Sequence, residues 1–206
     1  MIIDISQPLG QGVTVFPGDA PYRESWTFRI GSDCPVNAGQ VSMTMHCATH
    51  ADAPLHYDAN GATIGTLDLD PYLGPCRVID ARGGGLLCEP EEILAFLDNA
   101  PPRVLLRLSD IVDLKVWPTG FRALAPEVIA LLASKGVKLV GIDTPSVDPE
   151  LSKTLDSHHA CRRADMRILE NLVLKHVEPG DYELIALPLK FENLDASPVR
   201  AVLRKL

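Results

Sequence analysis

A chain of 206 residues, 46% hydrophobic and 22% charged, is long enough to bury one good core and too apolar to be disordered. Its formal net charge of −8 argues against a phosphate-binding face, since no stretch clusters Lys and Arg densely and the basic pairs such as Arg162-Arg163 are short, so no nucleic-acid partner is expected. No apolar run is long enough to cross a bilayer, so no membrane partner is expected either, and five cysteines (34, 47, 76, 88, 161) without a CxxC pair argue against a disulfide framework and for a reducing cytoplasm.

The N-terminus, Met1-Ile2-Ile3-Asp4-Ile5, lacks the basic and long apolar regions of a signal peptide and reads as a first strand over 2–5. Further strand-like segments, rich in β-branched and aliphatic residues, follow at about 41–45, 76–80, 103–108, 137–142, 182–189 and 199–204. Gly83-Gly84-Gly85 follows a strand as a turn, and its spacing does not match a phosphate-cradling loop. A helix is predicted from Pro90 to about Asn99, with Glu91 and Glu92 in the first turn, where the helix dipole favours acids. A second starts at Pro126, presents Val128, Ile129, Leu131 and Leu132 on one face, and stops at Gly136. A third, roughly 157–165, can take its cap from Asp156 or Ser157. The helix at 126–135, set between strands 103–108 and 137–142, predicts one βαβ crossover. Most other strands have no helix between them, so a mixed sheet is expected in a single α/β or α+β domain spanning 1–206.

The chemistry concentrates in His46-Cys47-Ala48-Thr49-His50-Ala51-Asp52-Ala53-Pro54-Leu55-His56, an HxxxHxDxxxH pattern that holds three of the six histidines. Read as a helical turn, residues 46–50 stack both imidazoles on one face, with Asp52 just beyond and Pro54 preventing a longer helix. Two imidazoles and a carboxylate suit Zn²⁺, with Mn²⁺ or Fe²⁺ as alternatives, and three protein ligands leave a position open for water. HxxxH alone is more often a pair of surface histidines; the added Asp and third His favour a metal site. Cys47 faces away on such a turn and reads as packing.

A second cluster runs from Asp143-Thr144-Pro145-Ser146-Val147-Asp148 through His158-His159 to Glu170. By themselves these residues read more simply as caps and a solvated helix acid. Their weight comes from the ligand count, because a binuclear site needs more donors than the first cluster supplies. No Gly-x-Ser-x-Gly elbow is present, which sets aside a serine hydrolase.

Together, HxxxHxDxxxH, the segment Leu139–Asp148, the His-His pair and the Pro188-Leu189 ending resemble the metal-dependent cyclase family. The likeness runs from Asp4-Ile5-Ser6 to Pro198-Val199-Arg200-Ala201-Val202-Leu203, and the Asp-Thr-Pro-Ser-Val-Asp and Ser-His-His segments are similar to its bacterial kynurenine formamidase branch. The resemblance implies a single α/β domain with a mixed, barrel-like sheet flanked by helices (the swivelling β/β/α cyclase arrangement), assembled as a homodimer. It implies two zinc ions, with Mn²⁺ or another divalent metal as alternatives. His46, His50 and Asp52 would hold one ion, Asp52 would bridge to the second, and His158 and Glu170 would complete the second shell, Glu170 touching both ions. His158 is preferred to His159 on its twelve-residue spacing from Glu170. His56 is implied as general acid/base in hydrolysis of the small molecule N-formyl-L-kynurenine to L-kynurenine and formate, a step of tryptophan breakdown.

One position departs from the branch. Its Trp before Pro-Gly, which stacks on the substrate ring, is Phe16 here, in Val15-Phe16-Pro17-Gly18-Asp19. Phe still offers an aromatic face but loses the indole N–H. A cyclic imide, lactam or isatin-type ring is therefore the rival substrate, and a non-catalytic metal-binding protein the rival from another class. No role is assigned to Asp143, Asp148, His159 or His176.

Overall fold

Alternation along Leu73–Asp80, Arg103–Arg107 and Leu139–Ile142 sets the framework, because each strand offers one apolar set to each face of a sheet. The computed structural model describes residues 1–110 and 115–206. In chain order its strands are β1 (Ile2–Asp4), β2 (Arg23–Phe28), β3 (Ala38–Ser42), β4 (His50–Asp52), β5 (Leu73–Asp80), β6 (Leu87–Cys88), β7 (Arg103–Arg107), β8 (Ala123–Leu124), β9 (Leu139–Ile142), β10 (Arg167–Glu170), β11 (Gly180–Ile185), β12 (Ala196–Pro198) and β13 (Val202–Lys205). The α-helices are α1 (Pro90–Ile93), α2 (Pro126–Ser134) and α3 (Asp156–Ala164).

Nine strands make one mixed sheet, curled into a half-barrel, in the order β1-β13-β11-β5-β7-β9-β10-β4-β12. The inner run β5-β7-β9-β10 is parallel, and α1, α2 and α3 lie in its three successive connections. Sequence patterning predicted only the middle crossover. The outer strands pair antiparallel, so the sheet is mixed as expected.

Two buried clusters follow from the alternation. Ile79, Val104, Leu106, Val140, Ile142 and Ile168 pack against Val128, Ile129 and Leu132 of α2 and Cys161 of α3. Their neighbours Val78, Leu105, Leu139 and Leu169 join Ala51 near one end of the sheet and Ile5 and Leu203 near the other. Residues from both ends share this second cluster, so it fills the side that the curl encloses. Each large aliphatic side chain so buried contributes about 1.5–3 kcal/mol.

Local expectations fail where tertiary pairing overrides them. Residues 46–50 are not a helical turn: Ala48 sits at φ 59°, and His50 opens β4, which pairs antiparallel with β10 on one side and β12 on the other. The helix from Pro90 is one α-turn continued by a 3-10 turn (Leu94–Phe96), and Asn99 at φ 51° ends the segment. The strand expected at 41–45 lies at Ala38–Ser42 instead. It pairs with β2 in a hairpin apart from the main sheet, every residue of β2 being exposed.

The turn after β4 carries His56 and is closed by Gly61, whose N–H donates to the Asp58 carbonyl at 2.7 Å. A Cβ on Gly61 would stand 2.3 Å from the Pro54 carbonyl carbon, which is backbone and cannot rotate aside. Gly61→Ala should therefore destabilise the fold by about 1–3 kcal/mol. Urea unfolding reads this as a lower midpoint at unchanged slope; an unchanged midpoint would show that the turn deforms freely.

Candidate metal centre

Strand geometry, rather than helical stacking, gathers the ligand types. Along β4 the period of two sends His50 and Asp52 to one face and Ala51 into the core on the other. Across the ladder, Glu170 stands opposite His50 and Ile168 opposite Asp52, so Glu170 shares their face. The first turn of α3 brings His158 over them. His50 Nε2 lies 3.3 Å from Asp52 Oδ1 and 3.4 Å from Glu170 Oε2, and His158 Nε2 lies 3.4 Å from Asp52 Oδ2 and 3.8 Å from Glu170 Oε1. His46 Nδ1 reaches to 3.1 Å from Asp52 Oδ1.

Whether these groups suit a metal can be decided from their protons. His50 Nδ1 is 2.9 Å from the Ala48 carbonyl, which only accepts, so Nδ1 carries the hydrogen and Nε2 presents a lone pair. His158 Nδ1 is 2.6 Å from Asp148 Oδ2, which fixes the same tautomer. The Nε2 atoms of both residues and both Asp52 oxygens are buried without a hydrogen-bond partner. Buried nitrogens and carboxylate oxygens facing one another are costly unless a cation, whether a proton or a metal ion, lies between them. Ligands about 2.0–2.1 Å from a tetrahedral ion stand roughly 3.3 Å apart, close to the spacing seen here. The donor set fits a divalent metal. Asp52 belongs to two overlapping groups of potential ligands, one with His46 and His56 and one with His50 and Glu170.

The surroundings tune the same atoms. Burial by itself would lower the imidazole pKa values, but Asp195 and Asp52 lift His46 to about 9, Asp52 and Glu170 lift His50 to about 10, and Asp148 and Asp52 lift His158 to about 10. Burial opposes ionisation of Asp52, yet the imidazoles of His158, His46 and His50 hold it well below the usual carboxylate range.

Asp148 proves to be part of this assembly. Its carboxylate accepts from Ser157 N at 2.9 Å and His158 N at 3.0 Å while holding the His158 ring. It thus caps α3 from outside the helix, where sequence reasoning had placed Asp156 or Ser157. Asp156 instead accepts from Thr154 Oγ1, and the Ser157 hydroxyl donates to the Leu124 carbonyl. His159 lies beside Tyr57, at 6.4 Å between ring centroids, and His176 contacts the Asp4 carbonyl. Buried Asp143 accepts from the N–H groups of Leu108 and Ser109, and burial pushes its carboxyl up to about 7.

Sequence reasoning missed Asp195. Its Oδ2 lies 3.0 Å from His46 Nε2 and 3.3 Å from His56 Nδ1. No local motif marks it, since the pairing of β12 with β4, Ala196 opposite Asp52, is what brings it there. Cys47 is fully buried, as read.

A cavity of about 300 Å³ opens beside the cluster, lined on that side by His46, His56, His158 and Glu170. Its aromatic wall includes Phe16, which meets Trp117 edge-on at 5.6 Å between centroids. Trp117 is fixed in turn by an Nε1–H bond to Glu150 Oε1 at 2.9 Å. Lys153 is the one Lys or Arg among the described residues that line it.

The Cyclase family model matches residues 3–149. The chain belongs to the cyclase family. Over 204 residues the chain is 56% identical to the kynurenine formamidase of Bordetella avium (strain 197N), covering 98% of this chain and 97% of the relative. A predicted metal-dependent hydrolase from Bacillus stearothermophilus superposes with a TM-score of 0.80 at 27% identity, covering 98% and 97% of the two chains. Isatin hydrolase A from Labrenzia aggregata, at 22% identity and TM-score 0.84 over 98% and 93%, shares the fold. Among the described residues, no helix is long and apolar enough to cross a membrane.

Because the neighbouring carboxylates raise the imidazole pKa values above the usual range, loading a metal near neutrality should expel protons. Zinc affinity should therefore rise with each pH unit from 6 to 8, as measured by competition with a chromophoric chelator. A flat profile would mean that the imidazoles are already neutral in the metal-free chain.

Proposed function

We propose that this chain hydrolyses N-formyl-L-kynurenine to L-kynurenine and formate as a metal-dependent amidohydrolase. The observation that carries the reading is 56% identity to a kynurenine formamidase over nearly the whole of both chains. The convergent lone pairs and the aromatic cavity beside them support it from the chemistry.

The ion we assign is Zn²⁺, two per subunit, with Mn²⁺ as the alternative. His46, His50 and Asp52 would hold one ion, and His158 and Glu170, together with Asp52, would hold the other. When bound, the metal supplies Lewis acidity, making water acidic enough to react near neutral pH and stabilising the charge that develops on the formyl oxygen. His56, at the cavity edge, takes the proton of the attacking water and returns it to the aryl nitrogen as the C–N bond breaks. The water oxygen ends on the formyl carbon, so formate and the free arylamine leave. Phe16 and Trp117 flank the substrate ring. Lys153 suits the carboxylate that N-formyl-L-kynurenine carries and isatin lacks.

Turnover of N-formyl-L-kynurenine by the zinc-loaded protein, followed by the absorbance of kynurenine, should exceed that of isatin and disappear with a chelator. Faster turnover of isatin would transfer the assignment to the cyclic-amide reading, and bound zinc without turnover of either would favour a non-catalytic metal protein. His56→Ala should keep its metal and lose about 10²–10⁴-fold in kcat. Normal turnover in that variant would remove His56 from the mechanism.

The same reading includes a homodimer in a reducing cytoplasm, where five free thiols persist. A two-stranded hairpin is marginal unless a face is covered, and Arg23–Ser42 carries Trp26, Phe28, Ile30, Val36 and Val41 exposed. Sedimentation equilibrium should return twice the chain mass, and Trp26→Ser with Phe28→Ser should shift it toward the monomer. A monomeric native protein would exclude this assembly.

A further inference from the structure

We propose that Asp195 is a positioning residue that couples the metal ligand His46 to the proton carrier His56 through a single carboxylate oxygen. The roles of the two imidazoles rest on the function proposed above; the coupling itself rests on geometry. Oδ2 of Asp195 is 3.0 Å from His46 Nε2 and 3.3 Å from His56 Nδ1, and the two rings lie 4.1 Å apart between centroids, tilted by 40°.

An ionised carboxylate only accepts, so both facing nitrogens carry hydrogens. That assigns the remaining nitrogen of each ring. His46 turns Nδ1 toward Asp52, 3.1 Å from Oδ1, and so offers Nδ1 to a metal where His50 and His158 offer Nε2. His56 keeps Nε2 for the proton that moves in the reaction. One oxygen thereby sets the tautomer of a ligand and of an acid/base group together.

The fold holds the carboxylate in place through the main chain. The Asp195 carbonyl accepts from Ala53 N at 2.8 Å, and the Leu194 carbonyl accepts from Ile64 N at 3.0 Å. Asp195 is thus fixed beside Ala53, the residue that follows the His50–Asp52 strand, while its side chain stays 38% exposed. Replacing the side chain leaves those backbone bonds intact, which separates a positioning role from a structural one.

The test uses full-length Asp195→Ala and Asp195→Asn. Asn keeps an acceptor oxygen at the same place without the charge. In Asp195→Ala, zinc affinity measured by chelator competition should fall about 10–100-fold. With zinc saturating, kcat on N-formyl-L-kynurenine should fall by a similar factor while KM moves less than about twofold. Asp195→Asn should recover part of both losses, and both variants should melt with the native protein. Native zinc affinity and kcat in Asp195→Ala would overturn the proposal, as would losses that track a lowered melting temperature. If the native chain does not turn over N-formyl-L-kynurenine, the substrate reading fails on its own. Zinc affinity then decides for Asp195: a 10–100-fold loss supports the coupling and an unchanged value overturns it.

Discussion

Three residues, His50–Asp52, pair along both edges, with β10 on one side and β12 on the other, and the rest of the centre is arranged around that double ladder. Pairing on two sides removes the freedom of the segment to form a helix or to slip, because a shift by one residue would send His50 and Asp52 into the core and Ala51 out of it. The register then assigns neighbours. Glu170 is placed by β10 and Asp195 by the lead into β12, so four of the site's groups are fixed by backbone hydrogen bonds before any side chain meets another.

Such an arrangement opposes stability locally. Two imidazole lone pairs and a buried carboxylate point at one small volume, and the chain spends further buried acceptors, the Ala48 carbonyl and Asp148, on keeping the imidazoles in that attitude. A core built for stability alone would place aliphatic residues there, as it does one residue away on either strand at Ala51 and Leu169. The strain is offset by the two clusters on either side of the sheet, where the branched residues of the parallel strands and α2 contribute most of the buried apolar area. Local conflict of this kind is expected where function sets the residue type.

The sequence made the HxxxHxDxxxH chemistry legible but not its geometry. Imidazoles four apart can be brought together by a helical turn or by a bend leading into a strand, and only the pairing partners decide between the two. The parallel core strands were readable because their branched residues cluster; β10 was not, because Arg167–Glu170 offers four residues bounded by charges, with Arg167 and Glu170 nevertheless buried. His158 and Glu170 gained their meaning from a family likeness, since a separation of twelve positions carries no physical signal of contact. Asp195, 139 residues from His56, had no signal at all, and it took the sheet order to reveal it. Asp148 lay within a motif already noticed, yet its part as a cap supplied from outside the helix depends on a loop path that composition does not encode.

The sheet order also dictates when the centre can exist. β1 pairs with β13, and β4 with β12, so the two ends of the chain close one surface. During synthesis, the residues around position 50 leave the ribosome long before those near 195, and until the latter emerge β4 has an open edge and His46 has no anchor. Contacts of such long sequence separation form late and leave strand edges unguarded in the meantime. A nascent or C-terminally clipped chain would therefore hold the histidines without the strand that sets Asp195 beside His46 and His56, and the centre is completed only once the last strands have emerged.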